Sequence, residues 1–146
     1  MLLTDKIQRA IKFCKKAHKG QLDDYGTEYW EHPMQVARII SVVCPSDRNL
    51  ICAALLHDVI EDTKWTYAQI RIRFGGDVAD LVQEVTHMGQ KDKIGYWFPW
   101  LKSRRGILLK FADRLSNLSR MTCWDEKRQE QYLRKSKFWK SNPDTK

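Results

Sequence analysis

"AALLHDVIEDT", residues 53–63, sets four ionisable side chains, His57, Asp58, Glu61 and Asp62, inside one of the most apolar segments of the chain. With a helical period of 3.6 residues, His57 and Glu61 fall on one stripe and Asp58 and Asp62 on its neighbour. The polar groups then share a face roughly 100° wide, and Ala53, Ala54, Leu55, Leu56, Val59 and Ile60 populate the remainder. The stretch reads as a buried helix that turns one reactive face toward a cleft.

The segments around it are helical too. Ile7, Ala10, Ile11, Cys14 and Ala17 make a 3.6-residue stripe over Asp5–His18. A polar loop, "KGQLDDYGTEYWEH", has turn residues at Gly20 and Gly26, and Pro33 is placed to open the next helix, which runs to about Val43. "CPSDRN" breaks the chain, and Ser46 or Asp47 caps the helix that carries the opening motif. Thr66 caps "YAQIRIRF", "GG" at 75–76 ends it, and Asp77–Thr86 follows. A loop "HMGQKDK" and an aromatic stretch "GYWFPWLKS" lead to a long helix near Arg104–Met121 and a basic one over Asp125–Lys140. Strand alternation is missing, so the expectation is a single all-α domain, 1–146, of about seven or eight helices.

A chain of 146 residues with 42% hydrophobic and 30% charged residues suits one soluble globular domain. No apolar run approaches the roughly 20 residues of a membrane span. The N-terminus is charged from its fifth residue, unlike a secretion signal, so a cytoplasmic setting is expected. The cysteines at 14, 44, 52 and 123 lack CxxC spacing and read as free thiols rather than zinc ligands or disulfides. A net charge of +8 points to an anionic partner: a nucleotide, a phosphate ester or a nucleic acid. It is densest in "KSRR" at 102–105 and "LRKSKFWK" at 133–140.

Carboxylates packed together in a dry site need a counter-charge, because burying each one uncompensated costs several kcal/mol. A divalent cation supplies it. His57 and Asp58 offer an imidazole nitrogen and a carboxylate oxygen, and the other ligands must come from other helices. His32 in "EHP" sits at a loop-to-helix junction, and Asp113 lies among Phe111, Ala112 and Leu115, an odd place for an idle carboxylate. His32, His57, Asp58 and Asp113 make a thiolate-free nitrogen and oxygen set that suits manganese, zinc or iron. Glu61 and Asp62, one turn on, are then placed to bind or deprotonate a water at the metal. Plainer readings stand beside this one: His32 as a loop residue, and Asp113 as the partner of Arg114 in an ion pair.

"AHKGQ" at 17–21, "HP" at 32–33, "ALLHDVIEDT" at 54–63, "FGGDVADLVQEVTH" at 74–87 and "LLKFADRLSNL" at 108–118 come in the order that resembles the HD-domain hydrolases of the RelA/SpoT type. The nearest pattern is that of the small stand-alone alarmone hydrolases, including the metazoan SpoT-like ones. The resemblance covers about residues 5–120. It implies a helical HD fold with one divalent metal, usually manganese, held by His32, His57, Asp58 and Asp113, with Glu61 and Asp62 handling the attacking water. It implies removal of the 3′-pyrophosphate from ppGpp or pppGpp to leave GDP or GTP. Asn117 matches a position that contacts the substrate's ribose-phosphate region, and Tyr96 falls near an aromatic position of the family. Arg114 and Arg120, and then Lys110, are candidates to balance charge on the leaving group.

The chain also departs from that pattern. Alarmone hydrolases usually carry an Arg-Lys pair where this chain has Asp23 and Asp24, and that arginine lies against the guanine base. Two carboxylates there would repel a polyphosphate. Arg120 stands where the family often has threonine, and is suited to grip a phosphate. These departures keep two alternatives open: HD-type phosphatase or pyrophosphohydrolase action on another nucleotide such as NADPH or a nucleoside phosphate, and a nucleic-acid-binding regulatory protein using the basic, aromatic "YWFPWLKSRR". Against the latter, Trp97, Trp100 and Leu101 at helical spacing read more simply as core. The oligomeric state is not legible in the sequence.

Overall fold

The computed structural model describes residues 1, 3–86 and 101–135. These form α1 (Asp5–Ala17), α2 (Glu31–Val43), α3 (Arg48–Leu56), α4 (Val59–Asp62), α5 (Tyr67–Phe74), α6 (Gly76–Val85), α7 (Arg104–Arg120) and α8 (Glu126–Lys135), with a 3-10 turn at Met121–Cys123. The one extended pairing among the described residues is an isolated antiparallel bridge between Leu22 and Glu28. The all-α expectation holds. Tyr96, Trp97 and Trp100, and the end of the basic helix beyond 135, lie outside the described residues.

Side-chain caps set several of the helix starts. Thr4, Asp47, Thr66 and Ser103 each accept a backbone N–H from the first turn of the helix they precede. Thr66 and Gln69 complete a reciprocal capping box. The helix expected around Pro33 begins at Glu31 and ends at Val43, with Pro33 in its first turn. Proline is tolerated there because N–H groups of the first turn have no intrahelical acceptor. Gly75, at φ 93°, makes the sharp turn between α5 and α6 that a side chain would strain.

The apolar run of α3 becomes the centre of the molecule. Every residue from Leu50 to Leu56 is at most 1% exposed, and α3 packs against α1, α2, α6 and α7. Arg105, at the start of α7, donates to Asp47 and to Asp77, each at 2.9 Å, and ties α7 to the N-terminal ends of α3 and α6. That tie fixes the register at which α7 delivers Asp113 to the end of α3.

The opening motif is not one continuous helix. α3 ends at Leu56, His57 and Asp58 form a turn, and α4 is a separate helix of four residues. The reason is local. The Ala54 carbonyl, which would accept the Asp58 N–H in a continuing helix, accepts the His57 imidazole Nδ1–H at 2.7 Å. His57 and Asp58 keep near-helical backbone angles (φ −61°, ψ −27° and φ −99°, ψ 0°), so the shared polar face survives the break.

No helix among the described residues is long and apolar enough to cross a membrane. Leu55→Ala, at a site with 0% exposure, should cost about 2–5 kcal/mol of unfolding free energy in urea. Val42→Ala, at 83% exposure, should stay within about 0.5 kcal/mol.

Candidate metal centre

His32 comes from the first turn of α2, His57 and Asp58 from the turn after α3, and Asp113 from the middle of α7. Their donor atoms converge. His32 Nε2 lies 3.0 Å from Asp113 Oδ1 and 3.7 Å from Asp58 Oδ2. His57 Nε2 lies 3.1 Å from Asp58 Oδ2 and 3.3 Å from Asp113 Oδ1. Ligands about 2.1 Å from one cation stand roughly 3.0–3.4 Å apart in octahedral or tetrahedral arrangements. Three of the four separations fall in that range, and His32 to Asp58, at 3.7 Å, is slightly longer.

Each imidazole has an acceptor at Nδ1 that suits the Nδ1–H tautomer a metal would require. His57 spends its Nδ1–H on the Ala54 carbonyl, and its buried Nε2 makes no hydrogen bond, although two carboxylates lie within 3.3 Å. His32 Nδ1 is 2.9 Å from Ser116 Oγ, and that hydroxyl donates onward to Gln35 Oε1 at 2.7 Å. With its one proton committed, Ser116 can accept the His32 Nδ1–H, and Nε2 faces Asp113 Oδ1 at 3.0 Å.

The electrostatics ask for positive charge. Burial opposes ionising Asp58 and Asp113, yet His57 holds the Asp58 carboxyl below its ordinary range, and Lys110 with the two imidazoles holds Asp113 well below. Burial by itself lowers the His57 pKa, but Asp58 and Asp113 raise it well above the usual imidazole range. The pocket thus stabilises cationic charge between two carboxylates, and a divalent ion satisfies the same field. His32, His57 and Asp113 form one group of potential metal donors, and Asp58, Glu61 and Asp62 form another. Asp58 faces both.

Glu61 and Asp62 line the same cavity, of about 180 Å³, as His57, Asp58, Asp113 and Lys110. Partial burial, then Asp58 and Glu61, push the Asp62 carboxyl up to about 7. Lys110 Nζ is 3.4 Å from Asp113 Oδ2 and buried. Asn117 Nδ2 donates to Asp113 Oδ1 at 3.3 Å and lines both this cavity and a larger one of about 340 Å³ beside it. Arg120 lines the larger cavity. Arg114 is not brought to either: it is buried, with its guanidinium 5.1 Å from the centre of the Tyr132 ring.

The repulsion expected from Asp23 and Asp24 is cancelled by cations. Asp23 clasps its own turn, accepting the N–H of Tyr25 and Thr27 and the Thr27 hydroxyl, and takes Arg120 Nη1 at 2.8 Å. Asp24 accepts Trp124 Nε1 at 2.6 Å and pairs with Arg128 at 2.8 Å. Arg120 is therefore committed to a carboxylate as well as facing the cavity.

Several residues were not singled out by spacing. The Tyr29 hydroxyl donates to Asp58 Oδ2 at 2.5 Å and reaches Asp62 Oδ2 at 3.5 Å. Burial and the Asp58 charge raise its pKa, so it stays a proton donor. The His18 ring packs on Tyr29, and Gln21 donates to the Asp62 carbonyl at 3.0 Å, so "AHKGQ" braces the acidic end of the motif. Its place three residues before His32 was the available signal for Tyr29. Ser116, one residue before Asn117, had none.

Residues 10–98 match a family model described as the HD domain. The chain is 40% identical over 138 residues to the guanosine-3′,5′-bis(diphosphate) 3′-pyrophosphohydrolase of Aquifex aeolicus, a match spanning 85% of this chain and 19% of that protein. It is 36% identical over 140 residues to the enzyme of the same name, MESH1, from Xenopus tropicalis, spanning 87% of this chain and 78% of the relative. A solved structure described as a metazoan ortholog of SpoT that hydrolyses ppGpp superposes with a TM-score of 0.79 at 31% identity, over 94% of this chain and 84% of the other.

Ser116→Ala removes the group that orients His32. Divalent-metal affinity measured by titration calorimetry should fall about 10–100-fold with the far-UV dichroism unchanged. Undiminished affinity would remove Ser116 from this role.

Proposed function

The chain belongs to the HD-domain family, and from that premise we propose that it is a metal-dependent (p)ppGpp 3′-pyrophosphohydrolase, with residues 1–146 acting as one catalytic domain. The observation that carries the reading is the convergence of His32, His57, Asp58 and Asp113 donor atoms beside the Glu61–Asp62 pair. The names of the relatives support the substrate. Manganese is the metal we favour, since imidazole and carboxylate donors without thiolate suit it. Four free cysteines fit a reducing, cytoplasmic setting.

In this reading His32, His57, Asp58 and Asp113 hold the cation. A divalent ion, when bound there, would supply Lewis acidity toward a phosphoryl oxygen and lower the pKa of water toward neutrality. Glu61 and Asp62 orient the attacking water and accept its proton. An Asp62 carboxyl near pKa 7 is well matched to that exchange at neutral pH. The Tyr29 hydroxyl holds Asp58 and Asp62 in register. Lys110 lies against Asp113 and offsets its charge as anionic substrate arrives. Asn117, shared by the two cavities, meets the ribose-phosphate end of the nucleotide. Water adds to the phosphorus of the 3′-pyrophosphoryl group, the bond from phosphorus to the 3′ oxygen breaks, and the products are pyrophosphate and GDP or GTP.

Purified protein with Mn²⁺ should release pyrophosphate, and not orthophosphate, from ppGpp. Glu61→Gln should keep its metal while kcat drops about 10²–10⁴-fold. Orthophosphate as the sole inorganic product would overturn the pyrophosphohydrolase reading, and a fully active Glu61→Gln would overturn the assignment of Glu61.

A further inference from the structure

The larger cavity, about 340 Å³, opens from the metal centre and shares Tyr29, His32 and Asn117 with it. Its size suits a small organic ligand. Its outer wall is built from two paired charges. Asp23 with Arg120 and Asp24 with Arg128 each close at 2.8 Å. A wall whose cations are already matched by carboxylates is a poor clamp for polyphosphate and a good one for a neutral group with polar edges.

One of these cations is presented in an unusual way. The Arg128 guanidinium lies 4.0 Å from the centre of the Trp124 ring. Asp24 grips both members of that pair, accepting the indole N–H at 2.6 Å and a guanidinium N–H at 2.8 Å on the same oxygen. Tyr132, buried below, meets the indole edge-on at 5.2 Å. The guanidinium is therefore held by Asp24 of the 22–28 loop and by Trp124, which follows the 3-10 turn and itself packs against Tyr132 of α8. The Arg128 side chain stays 52% exposed and lines the cavity. A delocalised planar cation held with one face on an aromatic ring offers its other face to a second ring.

We propose that Arg128, laid on Trp124 and anchored by Asp24, is the platform on which this chain stacks the nucleobase of its substrate. The base lies in the larger cavity and the phosphates extend past Asn117 to the metal centre. Asp23 and Asp24 are then positioning residues: Asp23 keeps Arg120 and the loop together, and Asp24 ties Arg128 to Trp124. This rests on the nucleotide reading above and adds to it which side chains distinguish a nucleotide from a bare sugar phosphate.

Equilibrium binding separates this proposal from the reaction. GDP and, as a base-free control, ribose 5-phosphate are titrated into the Mn²⁺-loaded full chain by calorimetry. The wild type should bind GDP. Arg128→Ala, at an exposed position, should weaken GDP about 10-fold and leave ribose 5-phosphate unchanged. Arg128→Lys keeps a cation within reach of Asp24 but loses the plane, and should resemble Arg128→Ala. No GDP binding to the wild type, GDP binding indifferent to Arg128→Ala, full recovery in Arg128→Lys, or an equal loss for both ligands would overturn the platform. The last result would make Arg128 a phosphate contact. A wild type that binds GDP through Arg128 yet leaves ppGpp intact would sink the reaction and keep the platform.

Discussion

Two carboxylates, Asp58 and Asp113, stand within 3.7 Å of two imidazole nitrogens in a site where both histidines are at most 4% exposed. That concentration of like charge in a dry place is the constraint around which the rest of the structure is organised. Burial of each group would be strongly unfavourable alone. The neighbours that offset it come from four places: α2 through His32, the end of α3 through His57, α7 through Lys110 and the loop before α2 through Tyr29. Long-range pieces of the fold, such as the Arg105 tie to Asp47 and Asp77, serve to hold those elements at a common register.

The same bookkeeping of charge explains the chain's departure from its relatives' expected pattern. Carboxylates at 23 and 24 looked hostile to a polyphosphate in isolation. In the fold each meets a guanidinium from a segment about a hundred residues away, Arg120 from α7 and Arg128 from α8. The acidic loop and the two guanidinium groups that neutralise it line the same cavity. Pairing across the pocket neutralises the two carboxylates and places the guanidinium groups on α7 and α8.

What the sequence made legible was what repeats locally. The 3.6-residue stripe of α1, the caps at Asp47 and Thr66, and the apolar run of α3 all follow from neighbours a few residues apart. The grouping of His32 and Asp113 with His57 and Asp58 was legible for a different reason: three of them are polar groups in apolar sequence, and His32 stands before a proline at a loop-to-helix junction. Three features were not. The break at His57 depends on a side chain outbidding a backbone N–H for the Ala54 carbonyl. The hydroxyl of Ser116 gains its role only because α2 and α7 cross where His32 and Gln35 can reach it. Arg114 sits one residue from Asp113, yet the helical rotation buries it against Tyr132, and it lines neither cavity. Each is decided by tertiary contacts that residue spacing does not encode.

The central claim is that these four side chains hold one divalent cation. Titration of Mn²⁺ into metal-free protein, followed by calorimetry, tests it most directly. The account predicts one saturable site per chain in the wild type and its loss in a folded Asp113→Ala variant, since Asp113 Oδ1 lies within 3.3 Å of both imidazole nitrogens. A wild type with no saturable site, or an Asp113→Ala variant that binds Mn²⁺ as tightly as the wild type, would contradict it.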